Sequence, residues 1–419
     1  MVNAADTSYL ALSVLAGAAG RALRRGLPPA WRTRLEARPP EDLELGWIWL
    51  HAVSMGEILL AEGLAGKLAE RGLRVHVTTG TAAGLELLGR KVETWNQRGG
   101  RFSAGAFPLD DPRGLAPFLD PAPALFIALE TELWPGLIRA LHDRRIPALV
   151  VNGRLTRRSL DHGGTWLSRT AARLSLVLAR DAESAAAFTA LGAPRVELGG
   201  NLKADLPPPP LLHAGWMGLG ESWASDRVLV VGNTVEGEEE LIIDAWRGAD
   251  PGSRMILAPR QPRRFDEVST LLTRHGLPFR RASEPWPETA PEWDGIRVLL
   301  LDTLGELASA YATGTLALVG GGWMADGGHN PLEPIRWGVP TRIGPGFSNF
   351  ADLVEPLAAA GLLAVIEKRN LKSTLALELP SLPLRGGGLD SLEARIPTSL
   401  KGALEKTWEG IQGFLPATR

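Results

Sequence analysis

The sequence predicts two doubly wound α/β domains, and three observations carry that expectation. Short, almost wholly apolar runs recur with room for a helix between most of them, the pattern of parallel strands covered on both faces. The pattern halts at LPPPPLL (206–212), where four successive prolines can join neither a helix nor a central strand, and then restarts. A chain of 419 residues suits two domains at roughly 100–200 residues each.

Residues 1–45 form a lead. Its apolar run, Tyr9–Gly20, is about a dozen residues long, short of the roughly 20 that a spanning helix needs. No basic residue precedes it and no small-residue cleavage site follows, so a secretory signal is not expected. Arg21, Arg24, Arg25, Arg32, Arg34 and Arg38 come next, with Trp31 among them. An apolar helix trailed by arginines suits peripheral contact with the cytoplasmic face of a membrane; a helix packed on the first domain is the alternative.

The first domain, 46–205, reads as strands at 46–52, 74–79, 123–129, 146–151, 174–179 and 195–198, with helices at Glu57–Arg71 and Thr81–Arg90. A proline-rich linker covers 206–225. The second domain, 226–388, has strands at 227–232, 254–259, 296–301 and 315–320. The stretch 389–419 reads as helical and is expected to pack back on the first domain.

Charge and composition exclude several function classes. Lysine plus arginine is 45 against 47 acidic residues, which lacks the basic excess of a general nucleic-acid binder. The absence of cysteine removes disulfides, thiolate metal sites and thiol catalysis. All but seven of the 45 cationic residues are arginine, so a lysine where a cation is wanted carries information.

The chemistry-bearing residues sit after strands. In HAVSMGE (51–57), Ser54 can cap a helix and Glu57 lies in its first turn, either as a capping-box carboxylate or as an acid–base group. ETELWP (130–135) follows another strand, and Glu130 and Glu132 would face one side of an extended chain. GNLKAD (200–205) carries Lys203, the sole lysine between Lys91 and Lys368. Asp110 and Asp111 in FPLDDP read as a turn or an acidic pair.

In the second domain the glutamates of GNTVEGEEE (232–240) suit a helix start. APRQPRRF (258–265) places Arg260, Arg263 and Arg264 where arginine forks hold phosphate. Gly305 and Glu306 lie at a strand-to-helix turn, and VGGGW with GGHNPLEP forms a glycine-rich loop opening a helix that bears Glu333. Together these indicate a nucleotide site. There is no P-loop and no dinucleotide fingerprint, and the histidines show no metal spacing; His51 and His329 read as polar positioners.

Taken together, HAVSMGE, TTGTAAG (78–84), FPLDDP, ETELWP, VNGRLTRRS (151–159), GNLKAD, VEGEEE, APRQPRRF, DTLGEL, GGHNPLEP and GPGFSNF (344–350) resemble the Kdo transferases, over residues 46–367. These glycosyltransferases attach 3-deoxy-D-manno-octulosonic acid (Kdo) to lipid A precursors. The resemblance implies a GT-B fold of two Rossmann-like domains facing a central cleft. It implies CMP-Kdo as donor, a lipid A precursor as acceptor, no metal and no further cofactor, at the cytoplasmic face of the bacterial inner membrane. By motif, Glu57 would be the general base, and Glu130 and Lys203 would stabilise the transition state. Pro259 and Arg260, then Leu304, Gly305 and Glu306, then Asn330, Pro331, Leu332 and Glu333 would hold CMP.

The sequence departs from the family pattern at Asn233 and Val235, usually serine and histidine, at Gln261, usually histidine, and at Arg263, usually acidic. Gly322 replaces a serine and Gly153 an alanine. Several of these lie around the donor loops. They leave as alternatives a GT-B transferase with a different activated sugar, or a non-catalytic relative of the fold.

Overall fold

Each apolar run becomes a strand, buried in every case but the edge strand Val196–Leu198, because an all-apolar segment satisfies its backbone in a sheet and its side chains on both faces. The computed structural model describes residues 4–155, 165–206, 214–287, 290–384 and 395–417. The chain forms two compact units, Met1–Leu206 with Lys401–Arg419, and Pro207–Leu400. The prolines at 207–210 and the stretch 389–394 lie outside the described residues, as does the 156–159 part of VNGRLTRRS.

The first unit is built on a seven-stranded parallel sheet of β1 (Ile48–His51), β2 (Arg74–Thr79), β3 (Arg101–Ala106), β4 (Leu125–Leu129), β5 (Ala148–Gly153), β6 (Leu176–Ala179) and β7 (Val196–Leu198). Its order is β3-β2-β1-β4-β5-β6-β7. Alternate residues divide between two cores. Ile48 and Leu50 pack with α3 (Met55–Glu70) and α4 (Ala82–Gln97) on one face. Trp49 packs on the other with residues of α5 (Pro112–Leu115) and α6 (Pro135–Asp143), where it is fully buried and stacked on Phe118 at 4.8 Å.

The lead joins this second face as α1 (Ala4–Ala22) and α2 (Pro29–Glu36). Tyr9 donates its hydroxyl to Asp110 at 2.6 Å, and Arg21 pairs with Asp111 at 3.0 Å. No helix among the described residues is long and apolar enough to cross a membrane. The helix Ala403–Gln412 also belongs to the first unit: Trp408 and Ile411 enter the α3 core, and Asp205 accepts from the amides of Gly402 and Leu404 at 2.9 and 2.7 Å.

The second unit repeats the plan with β8 (Val228–Thr234), β9 (Arg254–Pro259), β10 (Phe279–Arg281), β11 (Val298–Leu300), β12 (Leu316–Val319), β13 (Thr341–Ile343) and β14 (Leu363–Val365). Its parallel order is β10-β11-β9-β8-β12-β13-β14. The apolar runs found the centres of both sheets. They missed β3, β10, β13 and β14, whose segments RFSAGA, FRR, TRI and LAV are too short or too polar to register as buried strands.

Candidate active site

In the first unit the chain winds from β1 outward to β3, then returns to β4 on the other side of β1. The loops after β1 and β4 therefore diverge, and such a switch point is where open α/β sheets bind ligands. HAVSMGE leaves β1 there and ETELWP leaves β4.

Glu57 is only 6% exposed. Its carboxylate accepts from the Val53 amide at 2.6 Å and the Ser54 hydroxyl at 3.3 Å, while its own amide donates back to Ser54 at 3.5 Å. Ser54 thus caps the helix, and the Glu57 carboxylate reaches back one residue beyond the cap, to Val53, which fixes it at the sheet's carboxyl end. Burial pushes the Glu57 carboxyl up to about 8, and the negative charges of Glu130 and Glu132 push the same way against the Val53 and Ser54 bonds. A carboxyl so raised can exchange a proton near neutral pH.

Glu130 adopts φ 57°, a left-handed conformation that costs a residue with a Cβ about 1–3 kcal/mol and clusters at functional sites. Its amide donates to Val151 at 3.0 Å and its carboxylate accepts from Lys203 Nζ at 3.0 Å. Lys203 is set by two asparagines: Asn201 accepts its amide at 3.0 Å, and Asn152 accepts that of Leu202 at 2.9 Å. Asn152 is itself left-handed, with φ 55°.

The extended chain expected for ETELWP is corrected by that φ. Glu130 turns to Lys203, whereas Glu132 accepts from Trp134 Nε1 at 2.8 Å and lies 3.6 Å from His51 Nε2. His51 is wholly buried, stacked on Phe107 at 4.0 Å, and bonded through Nδ1 to Thr78, as befits a positioner. Arg34 of the lead lies over the Trp134 and Phe107 rings at 4.9 and 5.6 Å. In the sequence Arg34 is one of a basic stretch, and nothing local marks its place against the ETELWP loop.

The acidic pair of FPLDDP serves helix starts. Asp110 accepts from the Gly136 and Leu137 amides of α6 at 2.8 and 2.6 Å, and Asp111 from Arg113 and Gly114 of α5, both at 2.9 Å.

In the second unit β8 has β9 on one side and β12 on the other, which makes the ends of β8 and β12 the corresponding switch point. Buried Glu238 ties the two loops together, accepting from the amides of Val235, Gly321 and Trp323 at 3.1, 2.8 and 2.9 Å. The macrodipole explanation of that glutamate was therefore incomplete: it shapes the glycine-rich loop. Gly322 sits so near Gly344 and Gly346 that a Cβ would meet their backbone at 3.1–3.2 Å, so a side chain there requires that backbone to give by a few tenths of an ångström.

The three arginines of APRQPRRF separate. Arg264 is buried and forks onto Glu239 at 2.6 and 3.1 Å, so it is structural and the phosphate role expected of it is withdrawn. Arg263 donates to Gln261 at 2.8 Å, pairing two of the departures. Arg260, just past Pro259 at the end of β9, is exposed. Arg260 also helps burial to hold His329 down at about 4, so His329 is neutral at pH 7.

Leu304 is 67% exposed and Gly305 has φ 86°, while Glu306 accepts from Trp216 Nε1 at 2.9 Å. Asn330 accepts from the Leu332 amide at 3.1 Å, Pro331 precedes the helix Leu332–Arg336, and Glu333 occupies its first turn. Those residues share the carboxyl side of the second sheet, as Glu57, Glu130 and Lys203 share that of the first. With five residues that helix is too short for a strong dipole, so Arg260 and the loop amides carry more of any anion affinity than the sequence suggested.

Two parallel α/β units with polar groups gathered at their switch points define a GT-B fold. Two solved structures share it: Anabaena Alr3699/HepE in complex with UDP and glucose (TM-score 0.57, 16% identity, covering 88% of this chain and 99% of that one) and UDP-GlcNAc 2-epimerase from Neisseria meningitidis (TM-score 0.55, 13%, 87% and 99%). The family model described as 3-deoxy-D-manno-octulosonic-acid transferase matches residues 26–206. The 3-deoxy-D-manno-octulosonic acid transferase of Bordetella pertussis is 33% identical over 92% of this chain and 91% of its own length. That of Haemophilus influenzae is 32% identical over 80% and 81%. The chain belongs to the Kdo transferase family of glycosyltransferases.

Proposed function

We propose that this chain transfers Kdo from CMP-Kdo to a lipid A precursor, with inversion at the anomeric carbon and without a metal. The observation that carries the reading is Glu57, a nearly buried carboxyl raised to about 8 beside Glu130 and Glu132. In its ionised form Glu57 takes the proton of an acceptor sugar hydroxyl as that oxygen attacks the donor. A base so placed contributes about 10²–10⁴-fold. Lys203, held by Glu130, supplies positive charge for the donor carboxylate as the sugar passes through an oxocarbenium-like state. Arg260 takes the departing phosphate, with Pro259, the Leu304–Glu306 turn and Asn330–Glu333 around the cytidine.

The lead fits work at a membrane surface on the cytoplasmic side. Leu12, Leu15, Leu23 and Trp31 are 57%, 66%, 67% and 52% exposed, and exposed Arg25, Arg32 and Arg38 stand near them in sequence. A second reading, a different activated sugar as donor, is favoured by the Gln261–Arg263 pairing at the end of β9.

The test is incubation of the protein with CMP-Kdo and a tetra-acylated lipid A precursor, followed by mass analysis of the lipid. A mass gain of one or more Kdo units is expected. Transfer from another nucleotide sugar in a donor panel, with none from CMP-Kdo, selects the second reading.

A further inference from the structure

A pocket of about 250 Å³ lies between α1, α5 and α6, on the face of the sheet opposite the α3 layer that bears Glu57. Its walls include Tyr9 and Leu10 of α1, Leu115, Leu119, Ala140 and Trp166, with Tyr9 set edge-on to Trp166 at 5.3 Å. Such a volume is below the ~300–1,000 Å³ of pockets that enclose whole drug-sized molecules, and suits one slender chain. One edge carries Arg139, Arg144 and Asp143, an excess of one positive charge. Arg139 and Arg144 both line it, and although Arg139 Nε lies 3.6 Å from Asp143, its Nη1 is buried with no hydrogen-bond partner. A buried guanidinium N–H without an acceptor is costly, and it asks for an anion.

We propose that this pocket holds one acyl chain of an anionic membrane glycerophospholipid, with Arg139 and Arg144 on its phosphate. The occupant follows from position. The helix that walls the pocket with Tyr9 and Leu10 presents Leu12 and Leu15 outward, so an acyl chain passes from a lipid surface to the pocket along one helix. An acceptor chain is the competing occupant, because Pro135 and Gly136 at the start of α6 line the pocket and close the ETELWP loop, and the test separates the two. The inference rests on the reading that the protein works at a membrane surface, and it makes that contact a specific one.

The test uses the full chain on vesicles of phosphatidylglycerol or phosphatidylcholine, each doped with the same lipid carrying a photoreactive group at its acyl end. Adducts are mapped by mass spectrometry, and Kdo transfer is measured separately, so failure here leaves the transferase reading standing. Adducts at Leu10, Leu115, Leu119 or Ala140 are expected with phosphatidylglycerol. Ala140→Trp and Leu10→Trp fill the pocket from opposite walls, and each should cut those adducts by about tenfold while adducts at Leu12 and Leu15 persist. Arg139→Gln should remove most of the preference for phosphatidylglycerol over phosphatidylcholine. Adducts confined to Leu12, Leu15, Leu23 and Trp31 would overturn the proposal. So would pocket adducts undiminished in both filled variants, or adducts displaced by the tetra-acylated disaccharide and not by unlabelled phosphatidylglycerol.

Discussion

Lys203 Nζ stands 3.0 Å from Glu130 Oε1 across 73 residues of sequence, and the carboxylate it holds is one of the two whose charge bears on Glu57. Glu57, the two neighbouring carboxylates and Lys203 thus form one electrostatic unit. Removing the cation leaves Glu130 uncompensated, which raises Glu57 further. Lys203→Ala should therefore lose about 10²–10³-fold in transfer and shift the rising, acid-side limb of the pH–rate profile to higher pH. Lys203→Arg should restore the position of the limb more than the rate, since a guanidinium does not reproduce a compact ammonium. A profile unmoved in Lys203→Ala would separate the two groups.

Glu57→Gln should cost about 10²–10⁴-fold in kcat with CMP affinity retained, measured by transfer assay and calorimetry. In the intact protein kcat/KM should rise with pH through about 8, where the carboxyl ionises. Stability runs the other way. The fold binds this proton more tightly than the unfolded chain does, so stability is lost as pH rises from the ordinary carboxyl value of 4.5 to about 8, and stays reduced above it. The glutamine variant lacks that loss and should be more stable than the parent at pH 9 by up to about a few kcal/mol in denaturant unfolding, with little difference at pH 4.

Arg260 and Arg264 lie four residues apart and should fail in different ways. Arg260→Ala should raise the KM for the nucleotide sugar by roughly 10-fold or more with the melting temperature unchanged. Arg264→Ala strands the buried Glu239 carboxylate and should cost about 3–5 kcal/mol in denaturant unfolding.

Glu238→Ala removes the acceptor shared by three loop amides. Each amide left unsatisfied costs about 1–3 kcal/mol, so the second unit should be destabilised and donor binding weakened together. Hydrogen exchange at Gly321 and Trp323 should report the loosening directly.

Legibility in the sequence followed a physical divide. Central strands announce themselves because burial on both faces demands unbroken apolar runs such as LFIAL and RMILAP. Edge segments such as FRR need only one partner and carry polar side chains, so they leave no such mark. Glu57, Glu130 and Lys203 stand out in the sequence because each lies in a motif that follows a strand. What composition could not reveal was conformation and distant partnership: the left-handed Glu130, Glu238 reaching 83 residues to Gly321, and Arg34 resting on Trp134.

The helix Ala403–Gln412 also sets the order of events during synthesis. Trp408 and Ile411 belong to the hydrophobic core of the amino-terminal unit, yet the 194 residues of Pro207–Leu400 emerge from the ribosome before them. At ~5–20 residues per second the nascent unit waits about 10–40 s with part of its apolar interior uncovered. Until then Asp205 has no amides to hold, and a holdase chaperone would find its binding surface there.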